Sequence, residues 1–456
     1  MSVPSSVLIV GSGVFGLGTA YGLALRPEYK NTKITVLERV PFPAPDGSSI
    51  DSSRIIRADY ASLPYAQLMA ETMPYWRGEW GEEGRYSQSG LALVTENKPG
   101  ADDATRFLNE VVKNITKDLG LKVGRKEDGA DVTLFYDREG AKQATGAKGG
   151  YVGDKGMINW TSGWAHAEDG IKYMRKKIEA LGRVQFLTAE VKRLLFNNNS
   201  TVSGVELVNG DHLTADLTVL ATGAWTPKLL DLRGIASATG QVLAYIDITK
   251  EEEDRLAAPD QPVLLCEHDG MFIIPPRNRV LKVARHGYGY ANPVTIPNPE
   301  NPAEKITVSL PRTKLDDPNM EIPAEGAAVC RDFLRKAIPS LGDRPFTYTR
   351  ICWYTDTPSG DWLITYHPKY KGLFVATGGS GHGYKFLPTI GERIVDVMQG
   401  RDRDALGEEL RKRWRWPAQR AKEDHVWTDD WRGEGVKGMV LDEEYKKGQR
   451  AEGSKL

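Results

Sequence analysis

Short runs of aliphatic and β-branched residues that break into glycine recur along this chain. The first, Val7 to Val10 (VLIV), has no polar alternation, the pattern of a strand covered on both faces, and it opens into Gly11-Ser12-Gly13-Val14-Phe15-Gly16. Leu17 to Leu25 then reads as a helix, and Ile34 to Leu37 (ITVL) as a second buried strand ending at Glu38. The same transition returns where Leu217 to Ala221 meets Thr222-Gly223-Ala224-Trp225. It returns again where Leu373 to Ala376 meets Thr377-Gly378-Gly379-Ser380-Gly381-His382-Gly383. Turns so far apart in sequence predict one sheet assembled from discontinuous segments, with intervening stretches forming a second domain. Asn197 to Ser200 reads as a hairpin tip, Pro293 to Pro323 as a proline-rich excursion, and the Trp- and charge-rich tail from Arg411 as a surface wrap. There is no internal repeat.

The first unit carries a chemical expectation. Strand, GxGxxG, helix and second strand follow in order, and an acid, Glu38, stands 22 residues past the motif's last glycine. Gly11 permits the tight turn, Gly13 lets a pyrophosphate approach the backbone, and Gly16 allows close helix packing. Glu38 can accept hydrogen bonds from ribose hydroxyls. The motif alone is weak; with both strands, the helix and the acid in place it predicts dinucleotide binding.

Composition narrows the remaining classes. At 456 residues the chain is long enough for two or three domains, and 40% apolar with 27% charged residues is ordinary globular composition. Lys plus Arg numbers 60 against 61 acids, so no strong field gathers nucleic acid or anionic membrane, and neither is expected as a partner. Cys266, Cys330 and Cys352 form no CxxC pair, which argues against a disulfide framework or structural zinc and for a reducing compartment. No apolar run approaches a membrane span and the opening residues do not form a signal peptide, so a soluble, unsecreted protein is expected. No metal-ligand spacing and no GxSxG or Ser-His-Asp constellation stands out. The chain ends Ser454-Lys455-Leu456, the tripeptide read by the peroxisomal import receptor, so the expected location is the peroxisome.

Several blocks together carry a resemblance. They are Gly47-Ser48-Ser49-Ile50-Asp51 leading into Arg54 to Tyr60 (RIIRADY), Ser162 to Ala165 (SGWA), and Ala284 to Gly289 (ARHGYG). Arg350 to Thr357 (RICWYTDT) and Gly378 to Phe386 (GGSGHGYKF) complete the set. Over nearly the whole chain the sequence resembles the flavin-dependent amine oxidases of the sarcosine oxidase and D-amino-acid oxidase superfamily, and within it most closely the fungal L-pipecolate and L-saccharopine oxidases. Fructosyl amino acid oxidases (amadoriases) share the last two blocks. The resemblance implies an α/β fold of the α+β two-domain kind: a Rossmann-like FAD-binding domain from 1–60, 150–230 and 346–456, and a mixed β-sheet substrate domain from 61–149 and 231–345. The implied FAD contacts are Gly11, Gly13, Val14, Phe15, Gly16, Glu38, Arg39, Ser48, Ser53, Arg54, Val191, Thr222, Gly223, Trp225, Cys352, Gly379, Gly381, His382, Gly383 and Lys385.

Roles follow from the same resemblance, each beside a plainer reading. A buried cysteine needs no explanation, and that suffices for Cys266 and Cys330. At Cys352 the resemblance implies a thioether to the 8α-methyl of FAD, which would retain the cofactor and raise its potential. A lysine on an alternating strand such as Val280 to Ala284 is most often solvated, whereas the resemblance puts Lys282 against the flavin, its ammonium stabilising the charge that O₂ acquires. Arg57 and Lys385 are the implied grip on a substrate carboxylate, a guanidinium fork plus a point charge. Arg54 and Arg57 would share a face if they lay on a helical turn, and Lys385 would begin a helix whose N-terminus favours anionic flavin. His286, four residues after Lys282, would share its strand face as a polar contact near the substrate, and is also an ordinary structural histidine. Phe272 and Trp160 are candidates for the specificity pocket.

The resulting expectation is an FAD-dependent, monomeric oxidase that converts a secondary amino acid of the pipecolate or saccharopine type to an imine and O₂ to H₂O₂. An amadoriase, or a secondary-metabolism oxidase of N-methylated or aromatic amino acids, uses the same bond chemistry. A non-catalytic or NAD(P)-linked Rossmann binding protein is the alternative from another class, since Glu38 suits NAD as well.

Overall fold

The computed structural model describes residues 3–97, 102–197, 200–432 and 435–453. Two sheets organise them. The first has six strands in the order Leu363–Tyr366, Leu373–Thr377, Leu217–Leu220, Ser6–Val10, Lys33–Glu38 and Val184–Thr188. All its pairings are parallel except that of the outer Leu363–Tyr366 strand. The unbroken aliphatic runs follow from burial on both faces. Val7, Ile9, Val36 and Val219 pack with the helices Val14–Leu25, Ala167–Ala180 and Ile390–Gln399, while Leu8, Val10, Leu37 and Leu220 pack toward the hairpin sheet that includes Val191–Asn197 and Thr201–Leu207. The expected helix begins three residues earlier than its pattern suggested, at Val14, so the GxGxxG turn ends inside its first turn.

The second sheet has eight strands in the order Tyr348–Asp356, Ser237–Asp247, Val280–Arg285, Met271–Arg277, Val263–Cys266, Leu91–Thr95, Lys155–Asn159 and Val132–Phe135. It is mixed, since Val263–Cys266 runs parallel to Leu91–Thr95 while its other pairings are antiparallel. Strand alternation sorts its two faces. Val242, Ala244, Ile273, Val283, Ile351 and Trp353 pack against the helix Ala324–Ala337, together with Cys266 and Cys330. The register places Gln241, Leu243, Tyr245, Lys282, Ala284, Cys352 and Phe272 on the opposite face.

The two sheets apportion the chain differently from the expected segments. Tyr348–Asp356 and Lys155–Asn159 fall within the ranges assigned to the FAD-binding domain, yet both hydrogen-bond into the eight-stranded sheet. The helix Leu63–Arg77, assigned to the substrate domain, buries Tyr65, Leu68, Met69 and Trp76 in the core beneath the six-stranded sheet. The proline-rich excursion contains a hairpin, Pro293–Asn298 with Asn301–Ser309. Asn197 pairs with Thr201 as a hairpin tip requires, with Asn198 and Asn199 outside the described residues. Most of the tail from Arg411 to Asp424 is exposed on the surface, as expected, but it is anchored in the interior. Trp414 is fully buried, stacked on Trp362 at 5.1 Å and donating Nε1–H to the Tyr65 hydroxyl at 3.1 Å, and Arg432 is buried as completely. Indole and guanidinium groups in the interior need partners, and the core supplies them.

Glycine sets how closely the first helix approaches the last helix of its layer. A Cβ on Gly22 would lie 2.4 Å from the Gly391 carbonyl oxygen, and one on Gly391 would lie 2.0 Å from that of Gly18. The colliding atoms are backbone, so they cannot rotate away. We expect Gly391→Ala to force the helices apart and destabilise the protein by about 1–3 kcal/mol, as overpacking does. A urea midpoint unchanged from the parent would show that the contact is slack.

Candidate active site

The three glycine-rich turns converge on one cavity of about 1430 Å³, its open mouth included. The N-terminal turn contributes Gly11, Gly13, Val14 and Phe15; Glu38 and Arg39 follow from the second strand. Ser48 and Arg54, Val191, the Thr222, Gly223 and Trp225 turn, and Gly379, Gly381, His382 and Gly383 complete the predicted residues that line it. Gly16, Ser53, Cys352, Lys282, His286, Arg57 and Lys385 do not line this cavity. Gly16 is packing: a Cβ there would lie 1.9 Å from the Gly11 carbonyl oxygen. Gly11 has φ +103°, and a Cβ would meet the Ala221 carbonyl oxygen at 2.5 Å, so only glycine lets the turn sit this close to the neighbouring strand.

The lining fits a dinucleotide. Glu38 accepts from the backbone N–H and hydroxyl of Ser12 at 3.0 and 2.7 Å, which holds the carboxylate at the strand end where ribose hydroxyls are read. The Ser49 hydroxyl accepts from Val14 N–H at 3.1 Å and ties the loop to the turn. Arg39 pairs with Asp46 at 2.5 Å and stacks over the Trp225 ring at 4.5 Å, closing the cavity side.

Beyond the cavity, one ion cluster joins the two sheets. Asp51 is buried and accepts from Lys282 Nζ at 2.8 Å, from the Tyr245 hydroxyl at 2.7 Å, from Ser52 N–H at 2.7 Å and from Arg54. Burial alone would raise its pKa, but Lys282, Arg54 and Arg350 outweigh that and hold the carboxyl well below the usual range. Lys282 is pushed down to about 8, burial and Arg54 outweighing Asp51. It is therefore no solvated lysine: it is 3% exposed, and its ammonium also lies 5.5 Å from the Phe272 ring. Lys282 Nζ donates to the Ser53 carbonyl at 2.9 Å, and Arg54 reaches the Cys352 sulfur at 3.8 Å.

Arg54 and Arg57 do not share a helical face. Arg54–Ile56 is a strand, where residues three apart point to opposite sides. Arg54 turns to Asp51 and Cys352, and Arg57 turns away, its guanidinium 5.2 Å from the Tyr60 ring. Lys385 lies 5.1 Å from that same ring and donates to the Tyr60 hydroxyl at 2.9 Å. Nor does Lys385 begin a helix: Tyr384–Phe386 is a single 3₁₀ turn, and the helix starts at Ile390.

The hydrogen bonds around Tyr60 fix their own directions. His382 Nε2 contacts the Gly360 carbonyl at 2.9 Å and must donate to it; burial pushes this imidazole's pKa well down, so Nδ1 is left as an acceptor. Tyr60 therefore donates to Nδ1 at 3.1 Å and accepts from Lys385, whose other bond goes to the His382 carbonyl at 3.1 Å. Arg57 donates to the Asp59 carbonyl, and among the described residues neither it nor Lys385 is in an ion pair with a carboxylate. Burial, with Arg57 adding repulsion, drives the pKa of Lys385 well below that of a free lysine.

His286 lies one residue past its strand, and its Nδ1 is 3.3 Å from the Tyr354 hydroxyl. Phe272 shares that sheet face, but Trp160 is turned to Thr133 and Lys126 and does not join the cluster. Sequence reasoning gave no role to Asp51, Tyr60 or Tyr354, although the blocks that carry the resemblance contain all three. It also missed Arg432, which pairs with Asp356 at 3.0 Å, donates to the Ser380 carbonyl at 2.9 Å and lies 5.5 Å from the Tyr354 ring. No local motif marks it.

Fold and site define a two-domain protein with a dinucleotide cradle beside buried clusters of cationic side chains. The FAD dependent oxidoreductase family profile matches residues 6–397, so the chain belongs to that family. An amino acid oxidase (fsqB) of Aspergillus fumigatus is 31% identical over 92% of this chain and 99% of its own length. The L-saccharopine oxidase of Schizosaccharomyces pombe is 30% identical, covering 90% of this chain and 93% of its own. Among solved structures, the fructosyl peptide oxidase from E. terrenum superposes with a TM-score of 0.81 at 26% identity, covering 97% of each chain. The protein is thus an FAD-dependent amine or amino acid oxidase, acting on a CH–NH bond with oxygen as acceptor.

The Asp51 cluster generates a prediction. If the Lys282 ammonium assists oxygen, reoxidation of the reduced protein should slow as pH rises through about 8, because that is where the lysine loses its proton. Asp51→Asn removes the charge that raises this pKa, so the fall should begin at lower pH, and the protein should lose about 3–5 kcal/mol of stability with two cations left unpaired. Stopped-flow reoxidation across pH checks the first claim, and denaturant titration the second.

Proposed function

We propose that this protein oxidises a secondary amino acid, of the pipecolate or saccharopine type, to an imine while reducing O₂ to H₂O₂. The observation that carries the reading is the pair Arg57 and Lys385, brought to one tyrosine with no ion-paired carboxylate among the described residues. Such a pair suits an α-carboxylate, with the guanidinium offering a two-pronged grip and the ammonium a point charge. FAD, held by the cradle of glycine turns, would supply a two-electron acceptor for the carbon beside nitrogen that O₂ can reoxidise. The residues of this chain do the rest: Arg57 and Lys385 orient the substrate, Tyr60 holds Lys385 in place, and Lys282 supplies positive charge where oxygen is reduced. Two protons and two electrons leave the amine, and H₂O₂ takes up both.

Cys352 is proposed to tether the cofactor covalently. It is buried on the sheet face that carries Lys282, and its sulfur lies against Arg54. The proposal further includes peroxisomal import through the Ser454-Lys455-Leu456 ending, which lies outside the described residues, and a monomeric protein. A second reading, oxidation of fructosyl amino acids, is favoured by the structural likeness to fructosyl peptide oxidase. A peroxide-coupled screen of pipecolate, saccharopine, sarcosine and fructosyl-lysine separates the two.

Arg57→Met and Lys385→Met should each weaken binding of a small carboxylate inhibitor about tenfold to a hundredfold, the worth of one charge-assisted bond. An amine without the carboxylate should bind parent and variants alike. Titration of the flavin absorbance measures both, and a double variant that still binds the inhibitor normally moves the carboxylate site elsewhere. For the tether, acid precipitation of the parent should leave the pellet yellow, whereas Cys352→Ala should release its FAD to the supernatant.

A further inference from the structure

Arg432 comes from the tail and stands outside the nucleotide cavity, yet it holds part of the cavity's wall. Ser380, Gly381 and Tyr354 line the cavity; Arg432 does not, and it is fully buried. Its Nη2 donates to the Ser380 carbonyl at 2.9 Å and to Asp356 at 3.0 Å, and its guanidinium lies 5.5 Å from the Tyr354 ring. Neighbouring loops fix the tail here. Asp429 N–H donates to the Pro358 carbonyl at 2.7 Å, Trp431 Nε1–H donates to the Glu267 carbonyl at 2.6 Å, and a Cβ on Gly270 would lie 3.1 Å from the Arg432 carbonyl oxygen.

The bond to Ser380 orients a peptide. Ser380 has φ +45°, a left-handed conformation that costs a residue with a Cβ and persists where its surroundings impose it. Its N–H donates to the Thr355 carbonyl at 3.0 Å and its hydroxyl to the Gly378 carbonyl at 3.1 Å, while its own carbonyl accepts from Arg432. In a planar trans peptide the C=O and the following N–H point in opposite directions. The Gly381 N–H is therefore turned away from Arg432, on a residue that lines the cavity, and among the described residues it has no acceptor. A Cβ on Gly381 would meet the Tyr354 ring at 2.5 Å, so that ring lies against the turn. An unpaired donor on the wall of a cavity is a hydrogen-bond site for what the cavity holds.

We propose that Arg432 is a positioning residue for the flavin: it holds the Ser380–Gly381 peptide so that the Gly381 N–H is presented to the cofactor, where it favours negative charge on the ring. The turn belongs to the end of the cavity that borders the site's polar clusters, since His382 within it bonds the Tyr60 hydroxyl and Tyr354 contacts His286. That end is where a reacting ring has to meet its substrate. A donor fixed in advance, with water excluded, stabilises developing charge without reorganising at the moment of reaction. The assignment rests on FAD binding alone and does not depend on which amine is oxidised.

Sulfite tests this on the flavin-loaded protein without turnover. It adds to an oxidised flavin through its own lone pair and leaves negative charge on the ring, so bleaching of the flavin absorbance reports how well the site accepts that charge. Arg432→Met should weaken sulfite binding about tenfold, the worth of one hydrogen bond to a charged group, and lower the flavin midpoint potential by about 30 mV, the same factor for a two-electron couple. Methionine also leaves Asp356 buried without its cation, so the change is repeated together with Asp356→Asn, which removes that charge and keeps an acceptor for the Thr239 hydroxyl. The double variant should regain the parent's urea midpoint but not its sulfite affinity or potential. Arg432→Lys keeps Asp356 paired but offers one nitrogen for two acceptors, and should weaken sulfite about threefold. Parental sulfite affinity and potential in either the double variant or the Lys variant would show that Arg432 only braces the tail, and would overturn the assignment.

Discussion

One buried carboxylate, Asp51, decides how the two sheets face each other. It arises from the loop beyond the second strand of the nucleotide-binding sheet, yet it accepts from Tyr245 and Lys282 on neighbouring strands of the other sheet. Desolvating an acid and two cations is favourable only when their geometry is held, and here strand pairing holds Tyr245, Lys282 and Arg54 around the loop-borne acid. The cluster thereby fixes the position of Lys282 and Arg54, and through Arg54 the environment of Cys352. Small errors in sheet packing would be felt first in this cluster, because charge pairing in a dry site is steep in distance.

The parts of this architecture legible in the sequence are those decided locally. A strand that breaks into glycine and resumes as a helix needs no distant partner to be recognised, so the parallel sheet and its three turns could be read from Val7, Leu217 and Leu373 onward. Errors entered where a long-range contact overrides local spacing. Arg54 and Arg57 are three apart, which suits a helix, but pairing of Arg54–Ile56 with Gly163–Ala165 makes the segment a strand and sends the two side chains apart. Lys282 looks solvated in its alternating strand until the neighbouring layer covers that face. Strand membership crosses the expected domain limits for the same reason: Tyr348–Asp356 is followed in sequence by nucleotide-sheet strands but pairs with Ser237–Asp247.

The candidate site shows a similar division. Arg57, Lys385 and His382 were named from blocks of resemblance, and the fold gathers all three around Tyr60, which had been given no part. Arg432 carries no motif; a cation in a Trp-rich tail is unremarkable until the chain pairs it with Asp356 and sets it beside the Tyr354 ring.

The Arg432–Asp356 ion pair has a consequence for the order in which the protein can be completed. Asp356 closes the last strand of the eight-stranded sheet, and its cation comes from a residue that follows every strand of both sheets in the chain. As synthesis proceeds from the N-terminus, the glycine turns and both sheets are therefore available to assemble before that guanidinium exists. The nucleotide cradle, whose lining reaches no further along the chain than Tyr384, can in this sense have all its lining residues before the guanidinium beside the Tyr354 ring exists.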